Sequence, residues 1–350
     1  MASVELRDLH HRYRDAQGEF VIDNLNITWA DGSANALLGP SGCGKTTLLN
    51  IVSGLLRPKR GNVLFDGGDV TRLSPKNRHI AQVFQFPVCY DGMSVFDNLA
   101  FPLRNRGVDP GAVRKRVETV AELLGLAAIL KRKSGRLTAA EKQKVSLGRG
   151  IVREDTAAVL LDEPLTVIDP HHKRDLRRSL RDVQQNLGLT MIYVTHDQHE
   201  ALTFADHVTV MRDGKILQTA DPQTLHDDPV SPFVGYFIGS PGMNLFDARI
   251  DNNAIVIDTF RFPISPERLP QKPPADASFK LGIRPEFVGV SDSESTDAME
   301  CEVRFVEDTG AYKILDLHAG SLQFRARVPE SAAVVEGARV WAAFAPEHLK

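Results

Sequence analysis

Two hydrophobic periods alternate along the chain as far as residue 238. Ser3–Leu9 and Phe20–Trp29 alternate apolar and polar positions, which predicts half-buried antiparallel strands. Ala34–Leu38 (ANALL), Ala157–Leu161 (AAVLL) and Thr190–Val194 (TMIYV) are near-continuous apolar runs, as strands covered on both faces of a parallel sheet require. Ile80–Phe84 reads as another strand, and Asn62–Phe65 as a strand running into an Asp66-Gly67 turn. Helical spacing takes over in Thr46–Leu56, and again after Asp109-Pro110, where Val113, Val117, Val120, Leu123 and Leu124 form one apolar stripe. Thr138–Val152 is a third helix, with Thr138 as cap and Glu141 three residues on in capping-box spacing. Asp169-Pro170 opens a fourth as N-cap and N1 proline, and Gly188 closes it. His207–Met211 and Lys215–Gln218, joined by Asp213-Gly214, read as a hairpin.

Beyond a short helical stretch near Pro232–Ile238 the pattern changes. Gly239-Ser240-Pro241-Gly242 reads as a linker, and short alternating segments follow: Phe246–Ile250, Ala254–Thr259, Phe279–Ile283, Glu300–Val306, Ile314–Leu317, Leu322–Val328 and Arg339–Phe344. They predict a small all-β domain, a partly open barrel, with acidic Ser291–Asp297 as a surface loop. The boundaries read from sequence are therefore 1–238 and 239–350, which suits a chain of 350 residues.

Composition narrows the class. Hydrophobic residues make up 42% and charged residues 25%, ordinary for a globular chain. A net charge of −3 gives no nucleic-acid footprint, so no nucleic-acid partner is expected. Three cysteines without metal-ligand spacing fit a reducing compartment. The N-terminal residues show no apolar signal core, and no run of about eighteen apolar residues predicts a membrane span.

The chemistry concentrates in Gly39, Pro40, Ser41, Gly42, Cys43, Gly44, Lys45, Thr46 and Thr47, which fit G-x-x-x-x-G-K-[ST]. Glycines let backbone amides close on a polyphosphate, the following helix adds its N-terminal dipole, and Lys45 brings a mobile charge. A flexible glycine turn is the plainer reading, but a buried strand before it and a helix after it supply the context of a phosphate loop. Asp162-Glu163, at the end of a buried run, is a costly carboxylate pair unless a cation or a function holds it. Spacing alone leaves other positions open. Tyr13 is a structural tyrosine or a platform for a nucleotide base. Gln85 is a strand cap or a ligand for Mg²⁺ or an attacking water.

Taken in order, these landmarks resemble the ATP-binding subunits of ABC importers, in the carbohydrate and glycerol-phosphate group, over essentially the whole chain. The resemblance implies an α/β P-loop ATPase domain with a parallel-sheet core and antiparallel and helical subdomains, followed by an OB-like barrel. It makes Tyr13 the base-stacking aromatic, Gly39–Thr47 the Walker A loop, Gln85 the Q-loop glutamine and Ala157–Asp162 the Walker B strand. Glu163 becomes the general base, Thr166–Asp169 the D-loop and His196 the switch histidine. ATP and Mg²⁺ are implied, the metal on Thr46, Gln85 and, through water, Asp162. Implied partners are a second ATPase subunit, two membrane-spanning permeases and, indirectly, a solute-binding protein, with the chain peripheral at the cytoplasmic face of the membrane. GSPGMN, LGIRPE and AAFAPEHL look like the family's C-terminal β-domain. VFQFPVCYDGMSVFDNLAFPLR and DEPLTVIDPH look most like ATPases of glycerol (polyol) importers.

One departure stands out. The family signature LSGGQ falls at Leu137–Glu141, which reads Leu-Thr-Ala-Ala-Glu. Thr138 keeps a hydroxyl, Ala139 and Ala140 add Cβ atoms, and Glu141 puts a carboxylate near an expected polyphosphate. The D-loop also departs at Val167-Ile168. An asymmetric dimer with a paralogue carrying an intact signature follows, a homodimer being the alternative. A regulatory, weakly hydrolysing half and a non-transport ABC ATPase are the competing readings.

Overall fold

The apolar runs lie side by side in the core of the computed structural model, which describes residues 1–13, 20–251, 254–263, 278–295 and 298–350. One six-stranded sheet holds, in spatial order, Lys215–Ala220, His207–Arg212, Ala34–Leu38, Met191–Thr195, Ala158–Asp162 and Ile80–Val83. Apart from the antiparallel edge hairpin 207–220, the neighbours pair in parallel. Every residue of Ala34–Leu38 and Met191–Thr195 is buried, which is why neither segment alternates.

The alternating N-terminal segments form a second, antiparallel sheet: Ile22–Trp29, Val4–His11, Arg60–Phe65 and Gly68–Asp69. Its inward residues Val4, Leu6, Leu9, Ile22 and Leu25 share one core with Leu48, Leu49, Ile51 and Val52 of the Lys45–Ser53 helix and with Leu160 and Val194. Each such side chain contributes on the order of 1.5–3 kcal/mol by leaving water. The glycine loop is thus clamped between two sheets through the helix that follows it.

That helix has a second anchor the sequence did not advertise. Arg78 is buried and donates to the carbonyls of Ile51 (2.7 Å), Val52 (2.8 Å), Thr71 (2.8 Å) and Leu73 (3.1 Å). A cation on the last carbonyls of a helix complements its dipole. Burial pushes the guanidinium down to about 10, still charged at neutral pH.

Three helices, Val95–Arg104, Pro110–Leu123 and Ala139–Ile151, make the helical region. Asp109 caps the second through the amides of Gly111 and Ala112. Asp169 precedes the Pro170–Leu187 helix at the N-cap position, but its side chain makes no capping hydrogen bond, so only the proline half of that sequence signal operates.

Contacts divide the chain into Met1–Gln223 and Thr224–Lys350, whereas composition placed the change at 238/239. The reason is Arg284, buried in the second unit, which donates to the carbonyls of His226 (2.8 Å from Nε) and Ile238 (2.6 Å) and so ties 226–238 to the β-structure. That unit has two sheets around a common core of Phe246, Leu281, Leu315, Leu317, Phe324 and Phe344 among others. One sheet runs Phe260–Pro263, Ala254–Ile257, Asn244–Asp251, Ser278–Ile283; the other runs Val288–Ser291, Arg339–Phe344, Ala298–Asp308, Tyr312–Ala319, Leu322–Pro329. The strands at 260–263 and 288–291 are absent from the sequence-based expectation. Thr296 and Asp297 of the acidic loop lie outside the described residues.

Replacing Arg78 by Met should strand the carbonyls of Val52, Thr71 and Leu73 and leave that of Ile51 with the Gly54 amide alone, at 3.2 Å. At about 1–3 kcal/mol for an unmet buried group, the unfolding transition of the Met1–Gln223 unit should drop by about 3 kcal/mol in denaturant titration. An unchanged midpoint would show that Arg78 is not an anchor.

Candidate functional site

Parallel pairing sets several chain reversals at one height. Leu38 is opposite Thr195, Asp162 is opposite Val194, and Val83 is opposite Leu161. The loop after Leu38, the Asp162-Glu163 pair, His196 and Gln85 therefore all emerge at the carboxyl edge of the sheet, where open α/β sheets hold their ligands.

Within the loop, two glycines are sterically required. A Cβ on Gly39 would lie 2.3 Å from the Met211 carbonyl oxygen and 2.8 Å from the Cys43 sulfur. Gly44 has φ 103° and leaves 2.6 Å between a would-be Cβ and the Val21 oxygen. Gly44 also forms the N-cap of the Lys45–Ser53 helix without any side-chain cap, so its first amides have no side-chain acceptor there. Lys45 is buried and curls back, its ammonium donating to the carbonyls of Gly39 (2.7 Å) and Pro40 (2.9 Å). A third contact, 3.9 Å to Cys43 Sγ, is also to a neutral group of the same loop, so all three hydrogen-bond acceptors of this ammonium are uncharged. Burial raises the Cys43 thiol despite the nearby Lys45 charge, so Cys43 fills space as a neutral side chain.

Across from the loop, Thr46 Oγ1 is 3.4 Å from Asp162 Oδ1. Burial first, and the Glu163 carboxylate second, push the Asp162 carboxyl above its usual range. A divalent cation would relieve that unfavourable pairing, so this donor set fits Mg²⁺. Glu163 adopts φ 45°, a left-handed conformation uncommon outside glycine. Its backbone amide donates to the Val194 carbonyl at 2.9 Å, which holds the turn. One carboxylate oxygen meets His196 Nδ1 at 3.1 Å, and the other accepts from the Thr166 hydroxyl at 3.2 Å. His196 is 54% exposed, open to a substrate.

Tyr13, 45% exposed, puts its hydroxyl 3.1 Å from Thr47 Oγ1 and packs edge-on against buried His11 (ring centroids 5.1 Å). Both contacts brace the ring beside the loop. Gln85 is half-buried two residues beyond the Ile80–Val83 strand, which ends at Val83 rather than Phe84.

The Leu137–Glu141 segment differs from the sequence picture in one respect. Glu141 does not project its charge freely: its carboxylate accepts from the Thr138 amide (2.8 Å) and pairs with Arg132 (3.2 Å). The Thr138 hydroxyl in turn accepts from the Glu141 amide at 3.2 Å, completing the capping box. Arg132, nine residues earlier in the chain, is the cation that holds it.

Two residues of this neighbourhood escaped the sequence reading. His11, under Tyr13, had no pattern to mark it. Glu200 had one: Asp197-x-x-Glu200 has the spacing of a cap and its reciprocal acid, and Asp197 Oδ1 does accept from the Glu200 amide at 3.1 Å.

Known proteins resemble this chain along most of its length. An ABC transporter family model matches residues 22–166, a MalK OB fold domain model 239–288 and a TOBE domain model 281–349. The sn-glycerol-3-phosphate import ATP-binding protein UgpC of Psychromonas ingrahamii is 37% identical over 315 residues, 90% of this chain and 82% of that protein. The trehalose/maltose import ATP-binding protein MalK of Thermococcus litoralis is 36% identical over 97% of this chain and 94% of its own length. Among solved structures, cbiO1 from Clostridium perfringens, part of the ABC transporter complex cbiONQ, superposes with a TM-score of 0.59 at 27% identity, covering 63% of this chain and 89% of that one. With an ATPase core, a MalK-type OB fold and a TOBE domain in one chain, and relatives of this identity along nearly all of it, the protein belongs to the ATP-hydrolysing subunits of ABC importers.

Proposed function

We propose that this chain energises import of a small polyol, sugar or sugar-like phosphate, as one half of an asymmetric ATPase dimer. The common height of the glycine loop, Asp162-Glu163, Gln85 and His196 at the sheet edge is the observation that carries the ATP-hydrolysing role. The relatives named for glycerol 3-phosphate and for trehalose/maltose import support the solute class.

In the proposed mechanism Tyr13 stacks on the base of ATP, and the amides from Gly42 to Thr47 receive its phosphates. Lys45 exchanges two loop carbonyls for the β- and γ-phosphates, a stronger charge-assisted contact. Thr46, Gln85 and, through water, Asp162 would hold Mg²⁺, which supplies charge neutralisation for phosphoryl transfer. Glu163, oriented by Thr166 and His196, polarises the attacking water. His196 hydrogen-bonds the γ-phosphate. The partners are a second ATPase subunit, two membrane-spanning permeases and, through them, a solute-binding protein. Among the described residues no helix is long and apolar enough to cross a membrane, in keeping with a peripheral subunit at the cytoplasmic face. Exposed Phe84, Phe86, Val88 and Tyr90, next to Gln85, offer the apolar surface a permease helix needs.

The asymmetry rests on Leu137–Glu141. In the family arrangement this segment closes over a γ-phosphate held by the other subunit. Here the Thr138 hydroxyl and amide are engaged with Glu141, Ala139 and Ala140 carry Cβ atoms, and a carboxylate already occupies the helix N-terminus. This end suits a phosphate poorly, while the chain's own loop, Asp162-Glu163 and His196 are all present. A paralogue with an intact signature completes the site.

Glu163→Gln should leave ATP binding within about twofold and cut turnover by roughly 100-fold or more, the scale of a lost general base. A rate near wild type would refute the role given to Glu163. Purified alone, the chain should hydrolyse ATP slowly. Co-purified with the partner ATPase and permeases, turnover should rise and respond to one of a panel of polyols, sugars and glycerol phosphates. Full-speed, solute-responsive hydrolysis by a complex containing only this ATPase would contradict the asymmetric dimer.

A further inference from the structure

Behind His196 lies a carboxylate that the mechanism above does not use. Glu200 is 4% exposed and three side chains donate to it: Lys173 Nζ to Oε1 at 3.0 Å, and Tyr193 Oη and Thr195 Oγ1 to Oε2 at 2.9 and 3.0 Å. A buried charge with this many partners is a costly arrangement unless its geometry matters. Tyr193, the one aromatic of the Met191–Thr195 strand, is fully buried, and burial followed by Glu200 raises its phenol.

The bonds from Glu200 lead in two directions. Toward the sheet edge, Thr195 Oγ1 also accepts from the Asp197 amide at 3.0 Å, and Asp197 Oδ1 accepts from the Glu200 amide at 3.1 Å. This closed set encircles the turn that carries His196. In the other direction, Lys173 lies on the Pro170–Leu187 helix, which begins right after Thr166–Asp169. Thr166 holds one oxygen of Glu163, and His196 holds the other. A continuous loop results: Glu163, Thr166, the helix bearing Lys173, Glu200, the Thr195–Asp197 turn, His196 and back to Glu163.

We propose that Glu200 is a positioning residue for hydrolysis, fixing the His196 turn and tying it through Lys173 to the helix behind the Thr166–Asp169 loop. Movement of that loop is then transmitted to His196 through one ion pair, and the His196–Glu163 distance is set from both sides. Glu200 touches no substrate. Its contribution is orientation, where small displacements carry large rate effects. This inference rests on the role given to His196 above.

The test is steady-state ATP hydrolysis by the full transporter complex, with ATP affinity and melting temperature measured on the same preparations. Glu200→Gln and Lys173→Met should each lower kcat roughly 10- to 100-fold while KM for ATP stays within about twofold. The double variant should fall no further than the worse single, since both break one unit, and Lys173→Arg should retain most activity. Lys173 is 28% exposed in its side chain, so Lys173→Met with Lys173→Arg decides the matter if Glu200→Gln does not fold. His196→Ala is the control. If it is inactive while Glu200→Gln and Lys173→Met keep kcat within twofold of wild type, the positioning role is overturned and the site reading stands. Losses of kcat and ATP affinity in parallel with melting temperature, without rescue by Arg, would also overturn it. Full turnover by His196→Ala would remove the role of His196 and this inference with it.

Discussion

Backbone amides reach a polyphosphate only where no Cβ stands between them, and the ATP-binding unit is built around that requirement. At Gly39 a single methyl group would collide with the Met211 carbonyl, and at Gly44 with that of Val21. The loop is therefore pressed against the His207–Arg212 strand and the N-terminal antiparallel sheet as it turns into the Lys45–Ser53 helix. The core under that helix, with Leu48, Leu49 and Ile51 packed on Leu160 and Val194, keeps it from yielding. Arg78 on its final carbonyls fixes the other end. Within that fixed loop the buried Lys45 ammonium rests on the Gly39 and Pro40 carbonyls.

The same sheet that positions the loop delivers the remaining groups. Parallel strands placed in register bring Gln85, the adjacent pair Asp162-Glu163 and His196 to one edge from three separate parts of the sequence. Electrostatics distinguishes the two carboxylates. Burial and the Glu163 carboxylate raise the Asp162 carboxyl, an arrangement a divalent cation would relieve. Glu163 instead has both oxygens engaged, and its left-handed backbone stores strain at the point where the chemistry is proposed.

Much of this was legible in the chain because physical periods and motif spacings are local. The buried runs Ala34–Leu38 and Thr190–Val194 and the Thr138–Glu141 capping box each announced themselves within a few residues. What did not show were long-range partners. Nothing near Arg78 says that it will meet the end of a helix some distance earlier in the chain, and nothing near Arg284 says that it will recruit residues 226–238 to the second unit. Arg132 and Glu141 are a similar case: each charge was visible, but their pairing was not, and the pairing changes what the departed signature presents. The short strands at 260–263 and 288–291 gave few alternations and, unlike 62–65 and 215–218, have no Asp-Gly turn beside them to mark them.

The central claim is that the Gly39–Thr47 loop closes its amides on a nucleotide's phosphates while the rest of the sheet edge gathers around them. Amide hydrogen exchange of the full chain, with and without a non-hydrolysable ATP analogue and Mg²⁺, measures this directly. Exchange should slow at Gly42–Thr47 and, more weakly, around Glu163 and His196, with the Thr224–Lys350 unit little changed. Unaltered exchange in the loop at saturating analogue would contradict the account.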